Sequence, residues 1–246
     1  MLQYYAAAAD ICERAHRRLA AQVPPPRAVN VAGHPAFRCV EKTPQQAIVL
    51  KCAAAISRLR ASHVLLRSGF IQEQGAMHRL IDETNEDIWF LALGLIKGEH
   101  TPQHDQFLEA FFAEEFNDAK DVVGSRNARN LVPRRKIRAF IARAGESENP
   151  HRDAQVSESV GSMYSGFVHG AAQHILICYG GEPPRFHLNG MLGTPLIAEH
   201  EYDGWNYAFR TIQSLQLAAA ALQDEDLFNE LGESLRSFQR ETGRAG

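Results

Sequence analysis

The stretch of sequence that decides the fold is residues 43–98, which read TPQQAIVLKCAAAISRLRASHVLLRSGFIQEQGAMHRLIDETNEDIWFLALGLIKG. Thr43 is suited to cap the free N–H groups of a helix, and Pro44 is suited to the first helical position. The apolar residues that follow recur at helical spacing, which predicts helix rather than strand. At about 1.5 Å per residue the segment is too long for one ordinary helix, so we expect a break near Gly69 or Gly75.

Helical patterns also flank this central stretch on both sides. An amphipathic helix is predicted over residues 2–22, and the prolines at 24–26 end it because proline has no N–H to donate. Residues 24–42 have no clear period and are predicted to form a loop. Further helices are predicted at roughly 103–119, from Pro133, over 150–179, over 205–222 and from Asp224. The stripe expected to face the core on the 150–179 helix comprises Val156, Val160, Met163, Phe167, Ala171, Ile175 and Cys178.

These patterns together predict an all-α protein. We expect a helical bundle built on a long central helix or helix pair, with a small β-hairpin insertion near 183–203. All 246 residues are predicted to form a single helical domain. Its parts are an N-terminal helix and loop (1–42), a core bundle (43–180), an irregular insertion (181–203) and C-terminal helices (204–246).

The composition narrows the class of protein. Hydrophobic content of 45% and charged content of 22% are ordinary for a globular chain, and a net charge of −3 excludes a protein that is basic overall. The four cysteines lie far apart, which predicts small buried side chains in a reducing cytoplasm rather than disulfides. The acids Asp10 and Glu13 argue against a signal peptide, and the apolar run 88–96 is too short to span a bilayer. We therefore expect a cytoplasmic protein that does not associate with membranes.

One polar constellation lies on the predicted helix 150–179. On a helix, Ser162, Ser165, His169 and Gln173 share one side with Glu158, opposite the apolar stripe. Glycines at 161, 166 and 170 flank them, and each costs about 1 kcal/mol inside a helix, which indicates a close approach of another helix, a subunit or a ligand. One interpretation is a polar cleft in which His169 acts as acid or base. The alternative is a tightly packed helix whose polar side chains bond neighbouring backbone.

A second constellation lies on the central stretch. Arg79 and Glu83 are four residues apart, as a helical ion pair requires. If these two side chains face His169, they complete a polar site with it, and we expect all three to lie within about 10 Å of one another. A solvated charged face is the alternative. Neither a metal-ligand pattern nor a phosphate-binding glycine loop is present in the sequence, so we expect no metal and no cofactor.

A basic segment follows the predicted acidic helix 103–119. Residues 126–143 carry seven Arg and Lys side chains and no acid, and Arg134, Arg135 and Arg138 lie at its centre. Clustered arginines bind phosphate, which makes this segment a candidate RNA or nucleotide site. The alternative is that the upstream acidic helix neutralises the arginines within the fold.

Two segments resemble a group of uncharacterised helical bacterial proteins. They are residues 65–83, with LLRSGF leading to HRLIDE, and residues 164–170, YSGFVHG. That group is distantly similar to the HEPN superfamily of helical bundles, which includes RNA-cleaving toxins and nucleotide-binding defence proteins. The resemblance implies nucleotide or RNA association. The arginine that precedes the catalytic histidine in HEPN ribonucleases has no counterpart here, because Ser162, Met163 and Tyr164 occupy those positions before His169.

Three functional hypotheses follow. The first is a HEPN-like protein that associates with nucleotide or RNA, with or without catalysis. The second is a non-catalytic oligomerising module, with a homodimer held by the glycine face of the 150–179 helix and by the aromatic residues near Phe112. The third is a small-molecule hydrolase that uses Ser165 and His169. The candidate catalytic residues are His169, Ser165, Arg79 and Glu83, and the candidate ligand-binding residues are Tyr164, Ser162, Gln173, Arg134, Arg135 and Arg138.

Overall fold

The computed structural model describes residues 2–31, 34–116, 118, 121, 123–126, 129–146 and 148–244. The helices of these residues are α1 (Leu2–Ala20), α2 (Pro44–Arg67), α3 (Ile71–Lys97), α4 (Pro102–Phe112), α5 (Arg134–Ala144), α6 (Pro150–His169), α7 (Ala172–Leu176), α8 (Leu196–Ala221) and α9 (Glu225–Glu241). The strands form two antiparallel hairpins, β1 (Arg27–Val31) with β2 (His34–Arg38) and β3 (Tyr179–Gly180) with β4 (Arg185–Phe186). The predicted all-α class with a small hairpin insertion is confirmed.

The central stretch forms two helices, and the predicted break falls at residue 69. Thr43 and Gln46 form a capping box at the start of α2. At the break, Gly69 has a φ of +81°, and its carbonyl accepts a hydrogen bond of 2.8 Å from the Met191 amide. A β-carbon at this position would lie 2.7 Å from the Met191 nitrogen, so only glycine fits. Gly75 lies within α3, where it makes room for the Phe167 ring.

Helix α3 lies at the centre of the bundle. It packs against α2, α5, α6 and α8, while α1 and α9 cover α2 and α8 from outside. Its C-terminal half is apolar on every side, and Ile88, Phe90 and Leu91 are fully buried there. A single hydrophobic cluster joins residues from α1 through α9. None of the described helices combines the length and apolar character that crossing a bilayer requires.

Four of the predicted boundaries are wrong. Residues 27–31 and 34–38 form the antiparallel strands β1 and β2 instead of a loop, because the two short segments pair with each other residue by residue. Helix α4 ends at Phe112 rather than near 119, and residues 117, 119 and 120 lie outside the described part of the chain. Helix α6 ends at His169, where Gly170 adopts a φ of +64° that terminates the helix. Helix α8 begins at Leu196, directly after a proline, so residues 196–203 of the predicted insertion are helical.

The predicted orientation of α6 holds for only part of its stripe, since Val160 and Phe167 pack against the core. Val156 and Met163, expected to face the core, are 54% and 58% exposed, and Ile175 of α7 is 41% exposed. The residues that α6 buries are Gly161 and Tyr164. The helix therefore meets its neighbours with Gly161 and Tyr164 at its most buried positions and with the Phe167 ring on Gly75 of α3.

We expect the centre of α3 to dominate the stability of the bundle. Replacing Ile88 with alanine removes a fully buried side chain and leaves a cavity, which lowers the free energy of unfolding by about 2–5 kcal/mol. The matched control is Ile96→Ala on the same helix, where the side chain is 41% exposed and the expected loss is below about 1 kcal/mol. Urea denaturation of both variants measures the difference. Equal losses would show that the end of α3 matters as much as its centre.

Candidate functional site

The middle of α3 buries polar side chains in a position where a bundle normally has apolar ones. Asp82, Asn85, Glu86 and Asp87 are all less than 10% exposed. Burial of an unpaired carboxylate is strongly unfavourable, so each acid requires a cation or hydrogen-bond donor from a neighbouring helix. Burial raises the pKa of Asp82, and the adjacent Arg210 opposes that rise.

Basic side chains from three other helices neutralise this face of α3. The ion pairs join Asp82 to Arg210, Glu86 Oε1 to Arg138 Nε (2.7 Å), Asp87 Oδ2 to Lys51 Nζ (2.6 Å) and Asp87 Oδ1 to Arg134 Nη1 (2.5 Å). Helices α2, α5 and α8 thus each supply at least one partner. The pairs form one buried polar layer across the bundle.

The basic segment is therefore divided between the interior and the surface. Arg134 and Arg138 point inward to α3, whereas Arg135 is exposed. Internal pairing, the alternative predicted for the basic segment, holds for Arg134 and Arg138. Their partners, however, are acids of α3 and not acids of the upstream segment. Glu114 of that upstream segment, which follows α4, pairs instead with Arg38 of β2.

The structure explains why glycine stands at position 161, one of the three helical glycines noted in the sequence. A β-carbon built at Gly161 would lie 2.8 Å from Arg138 Nη2 and 3.0 Å from Arg79 Nη1. The glycine therefore makes room for two guanidinium groups where α6 crosses α3 and α5. Arg79 also forms the predicted ion pair with Glu83, at 2.6 Å.

The remaining residues predicted for the catalytic site lie farther along α6. Ser162, His169 and Gln173 are exposed, and Ser165 is half-buried. His169 follows Gly161 by eight residues, which is about 12 Å along the helix axis. Arg79 therefore contacts α6 two turns away from His169. Within the described chain, neither Ser165 nor a carboxylate is hydrogen-bonded to the His169 ring.

Tyr164 belongs to a buried aromatic cluster between α3, α6 and α8. Its hydroxyl donates a hydrogen bond to Asp203 Oδ2 at 3.0 Å, and its ring lies edge-on to those of His78 and Tyr207. The His78 ring is stacked on Tyr207 with centroids 3.8 Å apart. Burial lowers the pKa of His78 to about 3, with a smaller contribution from His200, so the imidazole is neutral. Burial also raises the pKa of Tyr164.

Beside the polar layer lies a cavity of about 600 Å³, bounded by α3, α5, α6, α8 and α9. Asn85, Glu86 and Arg138 reach it from the polar layer, while Trp89 and Phe228 supply aromatic surface. Its volume is in the range of small-molecule sites. Asn85 Nδ2, Glu86 Oε2 and Arg138 Nη2 are fully buried and make no hydrogen bond, although Glu86 Oε2 lies 3.7 Å from Arg134 Nη1 and Arg138 Nη2 lies against Gly161.

The sequence interpretation did not identify Asn85, Trp89 or this cavity. A usable signal was present, since α3 places an acidic segment directly before its most apolar run, and the nearby basic segment contains no acid of its own. Together these facts predict that the two segments pair. Within the described residues, no group of three or more His, Cys, Asp or Glu side chains is arranged to hold a metal ion.

Comparisons of the chain with protein-family models, with curated proteins and with solved structures gave no match. The HEPN resemblance therefore stays a prediction.

We expect the Glu86–Arg138 pair to behave as a buried pair. Glu86→Leu leaves the Arg138 guanidinium without its carboxylate and lowers the free energy of unfolding by about 3–5 kcal/mol. Adding Arg138→Met removes the unpaired charge, so the double variant is more stable than Glu86→Leu alone. The control is the exposed Glu99–Arg143 pair, where Glu99→Leu should leave stability nearly unchanged because solvent screens the charges. Additive losses in urea denaturation would contradict the coupling.

The His78 environment predicts an acid-dependent loss of stability. Because its folded pKa lies near 3 and the unfolded pKa near 6.5, its neutral form is favoured by folding. Stability is complete above about pH 6.5 and decreases as the pH falls towards 3, by about 1.4 kcal/mol per unit. His78→Phe preserves an aromatic ring on Tyr207 and removes this contribution. Denaturation from pH 7 to 4 should therefore show a shallower slope for the variant, and parallel slopes would contradict the assignment.

Proposed function

We propose that this protein is a non-catalytic binding protein for a small nucleotide-related molecule, and that the cavity beside the α3 polar layer is its binding site. The observation that carries the proposal is the lining of one cavity, in which Asn85, Glu86 and Arg138 of the polar layer lie beside the aromatic side chains of Trp89 and Phe228. A cavity of about 600 Å³ with a few polar groups among apolar and aromatic walls is typical of small-molecule sites.

The walls of the cavity favour a planar aromatic ligand. Trp89 and Phe228 add aromatic surface beside the polar atoms, and such a combination suits a heterocyclic base. The HEPN resemblance supports the same ligand class independently. A cytoplasmic location, as the free cysteines suggest, would give the protein access to nucleotides.

An RNA polymer is less well supported than a small ligand. Two of the three central arginines of the basic segment are held by α3 carboxylates, which leaves Arg135 as the exposed one. A catalytic role for Ser165 and His169 also lacks support, because no hydrogen bond joins these two described residues.

Trp89 provides a direct test of the binding site. The chain has two tryptophans, and only Trp89 lines the cavity. The wild-type protein and the Trp205→Phe variant are titrated with the four ribonucleosides and their 5′-monophosphates. At least one of these ligands should change the fluorescence of both proteins. The same ligand should leave Trp89→Phe unchanged. If no nucleoside or nucleotide alters Trp89 fluorescence or binds by calorimetry, the proposed function is wrong.

A surface site for RNA is tested separately. Replacing Arg135 and the exposed Lys136 with alanine removes two cations from the outer face of α5 without touching the α3 pairs. If RNA binds this face, the affinity for a single-stranded decamer falls and its salt dependence becomes flatter. Filter binding over a salt series measures both. Under the cavity proposal, the double variant retains its nucleoside affinity.

Exposed apolar residues on α6 favour a second candidate function, a module that dimerises through this helix. Val156 and Met163 lie seven residues apart on one face of the helix, whereas Val160 and Phe167 of the same stripe pack against the core. Val156 and Met163 are more than half exposed. The glycine face that the sequence suggested for the dimer is occupied within the chain, since Gly161 packs on arginines and Gly166 on the His174 ring.

For this candidate we expect light scattering at micromolar concentration to give the mass of a dimer. Met163→Glu places a charge on this face of α6 and should convert the dimer to a monomer without lowering thermal stability. Ser159→Glu introduces the same charge at another exposed position of α6 and is the control. If the wild-type protein is a monomer, this candidate function is wrong.

A further inference from the structure

The outer face of α6, α7 and the β3–β4 hairpin exposes a large share of the apolar side chains that reach the surface. Of the 18 large apolar side chains that are exposed among the described residues, nine lie within residues 156–192, and their exposed fractions run from 41% to 80%. These nine, which we call the 156–192 surface, are Val156, Met163, Val168, Ile175, Leu176, Tyr179, Phe186, Leu188 and Leu192. About one seventh of the chain thus carries half of its exposed apolar side chains.

The elements that carry this surface are joined to one another. His174 Nε2 of α7 donates a hydrogen bond of 3.0 Å to the Met163 carbonyl, which places α7 against α6. Only residues 177 and 178 separate α7 from β3. Tyr179 and Phe186 pair across β3 and β4, with ring centroids 4.9 Å apart. The exposed side chains therefore belong to one connected layer and not to separate loops.

The inner side of this layer is fixed to the bundle. The Phe167 ring of α6 fills the space beside Gly75 of α3, where a β-carbon would lie 2.7 Å from the ring. The Cys178 thiol, just before β3, donates a hydrogen bond of 3.5 Å to Gln72 Oε1 of α3. Because α6 and the start of the hairpin are both held against α3, the layer presents its apolar side chains outward from a packed position.

The 156–192 surface is larger than the apolar patch that a monomer normally exposes. Nine large apolar side chains of roughly 200 Å² each, exposed to about half of their area, present on the order of 1,000 Å². The largest apolar patch of a typical monomer is about 300–600 Å². A standard protein–protein interface buries about 800 Å² on each partner. The surface therefore has the area that a stable dimer needs.

The charge of the segment favours a second copy of this chain as the partner. Residues 156–192 contain three charged side chains, Glu158, Glu182 and Arg185, whereas charged residues make up 22% of the whole chain. Interface cores are depleted in charge in the same way. A nucleic acid or an anionic membrane requires a basic surface, which two acids and one arginine do not provide. A nearly neutral apolar surface is complementary to itself, as a symmetric dimer requires.

We infer that the 156–192 surface is the interface of a homodimer, in which α6, α7 and the β3–β4 hairpin of one protomer pack against the same elements of its partner. The inference rests on the second candidate function proposed above and extends its interface from α6 to α7 and the hairpin. It does not depend on a ligand in the cavity.

Sedimentation equilibrium of the full chain at micromolar concentrations tests the inference. Leu176→Glu on α7 and Leu188→Glu after β4 each place a charge on the surface outside α6. Each should raise the dissociation constant of the dimer at least about tenfold, because the carboxylate would be buried among apolar side chains. Both side chains are more than half exposed in the protomer, so the thermal midpoint should not change. The control is Val64→Glu on α2, where the side chain is 63% exposed on another part of the protein and the dissociation constant should stay the same.

The outcomes separate this inference from the second candidate function. If Met163→Glu dissociates the dimer but Leu176→Glu and Leu188→Glu do not, the extended interface is wrong and a dimer held by α6 alone remains. A monomeric wild-type protein overturns both, and one that co-sediments with uncharged phosphatidylcholine vesicles assigns the surface to a lipid membrane instead. Dissociation by Val64→Glu as well would place the interface elsewhere and also overturn the inference. The two surface variants lie on different elements, so either one decides the test if the other fails to fold.

Discussion

The constraint on which the structure depends is the burial of three carboxylates on one turn and a half of α3. Asp82, Glu86 and Asp87 lie inside the bundle, where an unpaired negative charge is too costly to persist. Their neutralisation determines what the surrounding helices must contribute. Helix α5 turns Arg134 and Arg138 inward, although a basic helix would normally direct such side chains to solvent.

The same constraint determines how α6 packs. Since the side of α3 and α5 that it meets presents guanidinium groups, α6 approaches with Gly161 rather than with an apolar side chain. Val156 and Met163 of its hydrophobic stripe are left exposed, whereas Phe167 packs on Gly75 of α3. The helix is therefore held by close backbone approach and by the buried Tyr164, whose hydroxyl reaches Asp203 of α8. The guanidinium groups of α3 and α5 thus explain both how α6 packs and which of its side chains stay exposed.

Features encoded by nearby residues were predictable, whereas those set by packing partners were not. The capping box at Thr43 and the break at Gly69 depend on local backbone chemistry, so periodicity and residue type were enough to find them. The inward face of α6 depends on what α3 presents to it, and a hydrophobic stripe does not specify whether core or solvent lies opposite. The polar constellation around His169 shared a helix face in sequence, but its partner Arg79 contacts that helix two turns earlier, at Gly161. The pairing of the α3 acids with Arg134 and Arg138 could be predicted only by comparing two distant segments. Arg134 and its partner Asp87 are 47 residues apart, and Arg138 and its partner Glu86 are 52 residues apart.

Stability alone does not explain the polar layer. A buried ion pair is often no more stabilising than apolar residues of the same volume, so Glu86 and Arg138 occupy positions where leucine and methionine would serve the bundle at least as well. The pair also leaves Glu86 Oε2 and Arg138 Nη2 without hydrogen bonds, which adds a cost that an apolar core would avoid. The same two residues line the cavity that we propose as a binding site, together with the aromatic surface of Trp89.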